Sequence, residues 1–86
     1  MKKQLKEEIK KLKEQLEAII IAIPKEEASY RFYSDLAETF PNEETRKMFS
    51  LLAAQEREHK RKLEFFAEQI ERKIEELKSG TKKGQG

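Results

Sequence analysis

Cysteine is absent from this 86-residue chain, and glycine, proline and histidine are scarce, with three, two and one residues respectively. The lack of cysteine excludes disulfide bonds, thiolate metal sites and redox-active thiols. The longest apolar run, residues 18–23, is far too short to cross a bilayer. The first residues also lack the apolar region of a signal peptide. We therefore expect a soluble, cytoplasmic protein without a membrane partner.

Charge is plentiful but balanced. Charged residues make up 42% of the chain and hydrophobic residues 36%, with lysine and glutamate dominant. This composition is typical of long helices rather than of a disordered chain. The net charge of +2 arises from 19 basic and 17 acidic residues, and such a mixed surface gives no reason to expect nucleic-acid binding. The length allows one domain at most, with a thin core in a single chain.

The first half of the chain carries a heptad pattern that never loses phase. We expect one helix over residues 3–39, kinked near Pro24, because that proline removes a backbone donor without shifting the pattern. Two helices divided near Pro24 are the alternative. The positions of this first seam are Leu5, Ile9, Leu12, Leu16, Ile19, Ile23, Glu26, Tyr30, Tyr33, Ala37 and Phe40.

A turn at residues 40–42 precedes a second helix, predicted over residues 43–78. Pro41 disfavours helical geometry at Phe40, and Asn42 is a good N-cap. Ser79 and Gly80 should end the helix, which leaves a hairpin domain over 1–79 and a flexible tail over 80–86. The second seam comprises Thr45, Phe49, Leu52, Glu56, His59, Leu63, Phe66 and Ile70, with a skip before Ile74 and Leu77.

Three ionisable residues interrupt these apolar seams at one level. A short turn makes the helices antiparallel neighbours, so that paired residue numbers sum to about 83. Glu26 then lies opposite residue 57, beside Glu56 and His59, which are one helical turn apart. A carboxylate and an imidazole in a hydrophobic seam need a partner, and a metal ion is the best candidate. A structural polar cluster that sets the helix register is the alternative.

A single hairpin leaves apolar side chains uncovered, which predicts a two-fold dimer that forms a four-helix bundle. The symmetry doubles the polar layer to four glutamates and two histidines, the ligand inventory of a carboxylate-bridged di-iron bundle. These donors suit Fe or Mn, and Zn could substitute. The residues that require cover are Ile20, Phe32, Leu36, Met48, Leu51 and Phe65.

The segment 26–63 resembles the ferritin-like superfamily, specifically its rubrerythrin and encapsulated-ferritin branch. The resemblance is carried by Glu26, by Tyr33 seven residues later, and by Glu56-x-x-His59 thirty residues after Glu26. The string Gln-Glu-Arg-Glu-His at 55–59 is similar to rubrerythrin-type iron helices, and the hairpin length to encapsulated ferritins.

The resemblance implies that Glu56 bridges two irons, that Glu26 chelates one and that His59 is a terminal ligand. It also implies that the ferroxidase centre, with two irons per dimer, forms only between two chains. Tyr33 would lie beside these ligands, and Tyr30 is assigned to the same surroundings.

Three departures from the family pattern limit what the resemblance implies. Lys25 and Ala28 stand where encapsulated ferritins have acidic residues that admit iron. The residues after Gly80 lack the peptide that docks such proteins into an encapsulin shell. Ser29 stands where rubrerythrins have an additional glutamate, and rubredoxin-type cysteines are absent, so that peroxide reduction is disfavoured.

The function expected from these features is ferroxidase activity, the oxidation of Fe(II) to Fe(III) with O2, for iron storage or detoxification. Glu26, Glu56 and His59 are the expected catalytic and metal-binding residues. The expected partners are a second copy of the chain, a higher homo-oligomer such as a ring, and an encapsulin nanocompartment. The alternatives are a non-enzymatic helical dimer, a bundle that binds metal without turnover, and a rubrerythrin-like peroxidase.

Overall fold

The computed structural model describes residues 2–83, with side chains described from 2 to 80. It contains helix α1, Lys2–Thr39, and helix α2, Glu43–Lys83. The predicted all-α hairpin is confirmed, and residues 2–83 contain no strand. Within this described range, neither helix carries an apolar stretch sufficient to span a bilayer.

Helix α1 runs through Pro24 without interruption. The proline lacks the backbone N–H that would bond to the carbonyl four residues earlier, yet the apolar positions on both sides keep one phase. Packing of that continuous apolar seam against α2 holds the two halves of α1 together. The chain therefore has one first helix rather than two helices divided at Pro24.

The turn between the helices is closed by Asn42. Its Oδ1 accepts hydrogen bonds from the backbone N–H groups of Glu44 and Thr45, at 2.8 and 3.2 Å. Glu43 and Glu44 also place negative charge in the first turn of α2, where the helix dipole favours it. This cap fixes where α2 begins and thus which of its residues lie opposite α1.

Aromatic side chains fix the pairing of the helices near the turn. Phe49 of α2 stacks on Tyr33 and on Phe40, with ring centroids 6.3 and 5.7 Å apart. Further from the turn, Glu26 lies against His59 and Glu27 against Lys60. The two helices therefore meet with one register from the turn to the polar layer.

The inward side of α2 differs from the predicted seam after Glu56. Lys60 is half-buried, whereas the His59 side chain is 54% exposed. Ala67 is buried, and Phe66 is exposed. The prediction that His59 and Phe66 continue the inner seam was therefore wrong. The inward positions of α2 are 56, 60, 63, 67, 70 and 74, which follow one another at steps of three and four residues without a skip. Lys60 can occupy such a position because its long apolar stem lies between the helices while its charge reaches the rim.

The end of α2 also differs from the prediction. The helix continues through Ser79 and Gly80 to Lys83, beyond the predicted end at residue 78. Among residues 2–83, no glycine has the positive φ that a left-handed helix cap requires. Thr81, which follows, is not an apolar residue that could support such a cap. The rest of the predicted flexible tail, 84–86, lies outside the described residues.

The hairpin is too thin to enclose a core. Its Cα atoms span 66 × 16 × 12 Å, and the thinnest dimension is about one helix diameter. Within the described range only Ala53, Ala67 and Ile74 are buried. Large apolar side chains are exposed instead, namely Ile20, Ile21, Phe32, Phe40, Met48, Leu51, Phe65 and Phe66. All of these lie between residues 20 and 66, from the turn to just past the polar layer, and not near the open ends of the helices.

We expect Asn42→Ala to lower the free energy of unfolding by about 1 kcal/mol, because two backbone donors at the start of α2 lose their acceptor. Asn42→Asp keeps an acceptor and should retain wild-type stability. Urea unfolding followed by circular dichroism at one protein concentration measures both variants. Equal losses in the two variants would contradict this role of the side-chain oxygen.

Candidate metal centre

The three predicted ligands come together halfway along the hairpin. Glu26 projects from α1, and Glu56 and His59 project from adjacent turns of α2. One ligand atom from each residue can be chosen so that all three atoms lie within 4.8 Å of one another. The Nδ1 atom of His59 is 3.5 Å from Oε2 of Glu26. The helix register therefore converts a sequence spacing into a compact donor cluster.

One oxygen of this cluster has no hydrogen-bond partner. Oε2 of Glu26 is buried and accepts no hydrogen bond, and the His59 nitrogen lies at ion-pair distance from it. A buried carboxylate oxygen without a donor carries an uncompensated desolvation cost. A bound cation would supply the missing charge and a bond to this oxygen.

The two carboxyl groups disturb each other electrostatically. The pKa of Glu56 is raised, chiefly because its protonated form can hydrogen-bond to Glu26, and also because burial and the negative charge of Glu26 disfavour ionisation. His59 acts in the opposite direction, since a positive imidazolium favours the carboxylate. Without a metal, Glu56 therefore binds its proton more tightly than an ordinary glutamate does, and a cation would compete with that proton.

A polar cleft of about 380 Å³ opens on one side of the hairpin and reaches both carboxylates. Its rim includes Glu27, whose Oε1 lies 3.5 Å from Nη2 of Arg31 and 3.9 Å from Nζ of Lys60. Arg57 also lines this cleft. Lys60 and Arg57 are not among the site residues predicted from the sequence. The available signal was helical spacing, because both residues lie within one turn of Glu56.

The two tyrosines occupy different surroundings. Tyr30 lines the cleft together with Glu26 and Glu56, and the guanidinium of Arg57 lies 5.4 Å from the centre of its ring. Tyr33 packs among aromatic rings, with Phe32 at 5.4 Å and Phe49 at 6.3 Å. The structure thus places Tyr30 beside the cluster and gives Tyr33 a packing role next to it.

The donor set fits a transition metal such as iron. Two carboxylates and one imidazole are typical ligands of Fe and Mn, and Zn accepts the same set. Three side chains leave coordination positions open, and the exposed His59 lies at the edge of the hairpin away from the polar cleft. The cluster therefore has the composition of half of a two-metal site.

The hairpin and its glutamate–histidine cluster define the class as a ferritin-like helical protein of the di-iron type. The sequence model of the Rubrerythrin family matches residues 1–66 and, in a second alignment, residues 17–85. The chain belongs to the rubrerythrin family, a di-iron family of the ferritin-like superfamily whose members typically bind iron and carry out redox chemistry. Both matched ranges contain Glu26, Glu56 and His59. Comparison with curated proteins and with solved structures gave no match.

We expect Glu56→Gln to make the metal-free protein more stable than wild type near neutral pH. The pKa of Glu56 is 4.5 in the unfolded chain and higher in the folded wild type, which therefore binds this proton more tightly. Wild-type stability therefore falls as the pH rises from about 4.5 through the raised pKa, where Glu56 becomes charged beside Glu26. The variant lacks this loss.

Urea unfolding in the presence of a chelator, from pH 4 to pH 7, measures the difference between the two proteins at each pH. Glu58→Gln is the matched control, because Glu58 is an exposed glutamate on the same helix. A wild-type protein that gains stability relative to Glu56→Gln as the pH rises would contradict the direction of the shift.

Proposed function

We propose that this protein is a ferroxidase of the encapsulated-ferritin type, which oxidises Fe(II) to Fe(III) with O2 at a site shared by two chains. The observation that carries the proposal is the buried Oε2 of Glu26, which accepts no hydrogen bond and lies within a cluster of two carboxylates and one imidazole. Membership of the rubrerythrin family supports iron as the metal. The cluster, rather than the family alone, supports a reaction centred on these residues.

The open side of the cluster faces an apolar surface, which supports a second chain as the missing half. We call this surface the open face; it follows one helical stripe on each helix. On α2 the stripe passes through the exposed Met48, His59 and Phe66 and the half-buried Leu52, at steps of four and seven residues. On α1 the matching stripe comprises Ala18, Ala22, Ser29, Phe32 and Leu36. A two-fold dimer through this face would bring two clusters together.

The residue sizes on α1 favour an antiparallel arrangement of the two hairpins. Between Glu26 and the turn, the open face carries Phe32 and Leu36, whereas on the other side of Glu26 it carries Ala18 and Ala22. A two-fold axis perpendicular to the hairpin and passing through the metal layer sets the large side chains against the small ones. In the antiparallel dimer these side chains would therefore pack large against small.

Each ligand has a separate task in the proposed site. Glu56 would bridge the two metals, as the family resemblance implies, while Glu26 and His59 would each hold a metal from the side. Iron is the substrate and supplies the electrons that O2 accepts. Four carboxylates in the dimer stabilise Fe(III) more than Fe(II), since the attraction to negative ligands grows with the cation's charge. The ligands thereby favour oxidation.

Ser29 distinguishes this site from a peroxidase site of the rubrerythrin type. It lies three residues after Glu26 on the open face, where an additional glutamate would have supplied another carboxylate. We therefore propose O2 rather than peroxide as the oxidant. Stopped-flow oxidation of Fe(II) with either oxidant tests this choice, and faster turnover with peroxide at equal concentration would favour the peroxidase instead.

We expect Glu26→Gln, Glu56→Gln and His59→Ala each to lower the initial rate of Fe(II) oxidation at least about 100-fold, because removing a ligand costs more than disturbing a residue that orients one. In wild type, an anaerobic titration with Fe(II) that is followed by air and read by ferric absorbance should show a break at about two Fe(II) per dimer. Glu58→Gln should behave as wild type. Normal oxidation in any of the three ligand variants would refute the assignment of that residue.

We expect Phe32→Glu to separate the dimer and to weaken metal binding together, because a charge on the open face prevents the second half-site from docking. Ile20→Glu is the matched control, since Ile20 is also apolar and exposed but lies about 120° around α1 from Phe32, outside the open-face stripe. Sedimentation equilibrium gives the mass, and Mn²⁺ titration gives the affinity. A monomeric Phe32→Glu that binds Mn²⁺ like wild type would show that one chain forms the whole site.

A further inference from the structure

We propose that Lys60 is a resident countercharge of the metal centre, which stabilises the metal-free carboxylates and competes with the incoming cation. The inference rests on the proposed metal-binding role of Glu26, Glu56 and His59. It adds a residue that sets how tightly the site holds its ion and how readily the oxidised ion leaves.

Lys60 occupies an inward position of α2 that an apolar residue would ordinarily fill. It follows Glu56 by four residues and precedes Leu63 by three, so that it lies on the interhelical side of the helix. Its side chain is 32% exposed, well below the exposure of the ion-paired Lys47 on the same helix, which is 77% exposed. A lysine held at this position places a positive charge where α1 and α2 meet.

The same cleft joins Lys60 to the ligand carboxylates. Glu26 and Glu56 line this cleft of about 380 Å³ together with Lys60 and Glu27. Water enters the cleft, yet its walls are protein on both sides, so a charge there is felt more strongly than one on an open surface. Lys60 therefore shares the cleft with the two carboxylates without being bonded to either.

Glu27 holds the ammonium group in place from the opposite helix. Its Oε1 lies 3.9 Å from Nζ of Lys60 and is also 3.5 Å from Arg31. Arg57, the next cation of the cleft, instead lies over the ring of Tyr30. Among the cations that line this cleft, Lys60 is thus the one whose ion pair joins the two helices, and it shares the cleft with the ligand carboxylates.

A fixed positive charge at this position has opposite effects on the two states of the site. It offsets the repulsion between Glu26 and Glu56 when no metal is bound, and it repels a metal ion when one arrives. The repulsion is greater for Fe(III) than for Fe(II), because it scales with the charge of the ion. Lys60 therefore lowers the affinity of the site and favours departure of the oxidised product.

The test compares Lys60→Met with wild type, because methionine keeps an apolar stem and removes the charge. We expect Lys60→Met to bind Mn²⁺ on the order of tenfold more tightly at low salt, with a smaller difference at high salt. We also expect the metal-free variant to melt at a lower temperature than wild type. Competition with a fluorescent chelator gives the affinity, and circular dichroism gives the melting temperature.

Two variants serve as controls. Lys60→Arg keeps the charge and should retain wild-type affinity. Lys47→Met removes an equivalent ion-paired lysine, whose Nζ lies 3.6 Å from Glu43, and should leave Mn²⁺ affinity unchanged. If Lys60→Met binds Mn²⁺ as wild type does, or more weakly, the proposal is overturned.

A second comparison separates the countercharge from a purely structural ion pair. In a Glu27→Gln background the pair is already lost, so a structural role predicts no further change in Mn²⁺ affinity on adding Lys60→Met. A countercharge that acts on Glu26 and Glu56 predicts that the gain in affinity persists. Failure of wild type itself to bind Mn²⁺ or Fe(II) would refute the proposed function, whereas wild-type binding without a Lys60 effect would refute this inference alone.

Discussion

The repulsion between the carboxyl groups of Glu26 and Glu56 is the constraint on which the rest of the structure depends. The helices bring these groups together in a half-buried layer, where a hydrogen bond to Glu26, burial and the like charge raise the pKa of Glu56. Oε2 of Glu26 is buried there and accepts no hydrogen bond. Apolar residues at both positions would give a more stable hairpin. A bound cation would satisfy the layer, and the proposed function therefore rests on the cluster and not on the fold.

The fold and the ligand cluster could be predicted because both follow from periodicity and loop length. The heptad pattern predicts two helices, and the Pro41-Asn42 turn fixes how they pair, so that residues thirty positions apart meet. Two features of the structure could not be predicted from periodicity and loop length. At residues 59 and 60 a histidine and a lysine are both compatible with the seam, and the longer stem of Lys60 takes the inward position while His59 turns towards the open face. Gly80 continues α2, because a glycine stops a helix only where the chain after it can form the cap.

The exposed apolar side chains of one hairpin and the proposed half-site would both be completed by a second chain. Neither helix can be covered by the other alone, since the hairpin is one helix thick. The exposed apolar side chains lie from the turn to just past the polar layer and not near the open ends. One event, the docking of a second chain on the open face, would therefore bury Phe32 and Phe66 and supply the missing ligands. A ligand that binds only the assembled state stabilises that state by mass action, so metal and dimer would each strengthen the other.

The proposed coupling between metal binding and dimerisation also accounts for the asymmetric arrangement of charge about the layer. The open face presents His59 and apolar groups, which a second chain can cover at little electrostatic cost. The opposite side presents Glu27, Lys60 and Arg57 around a cleft that leads to the carboxylates. A dimer through the open face leaves that cleft accessible, so the metal layer keeps a polar side after assembly. In the proposed dimer the chain would thus meet two requirements on one pair of helices: an apolar surface that completes the site, and a charged surface through which ions would exchange and which would set their affinity.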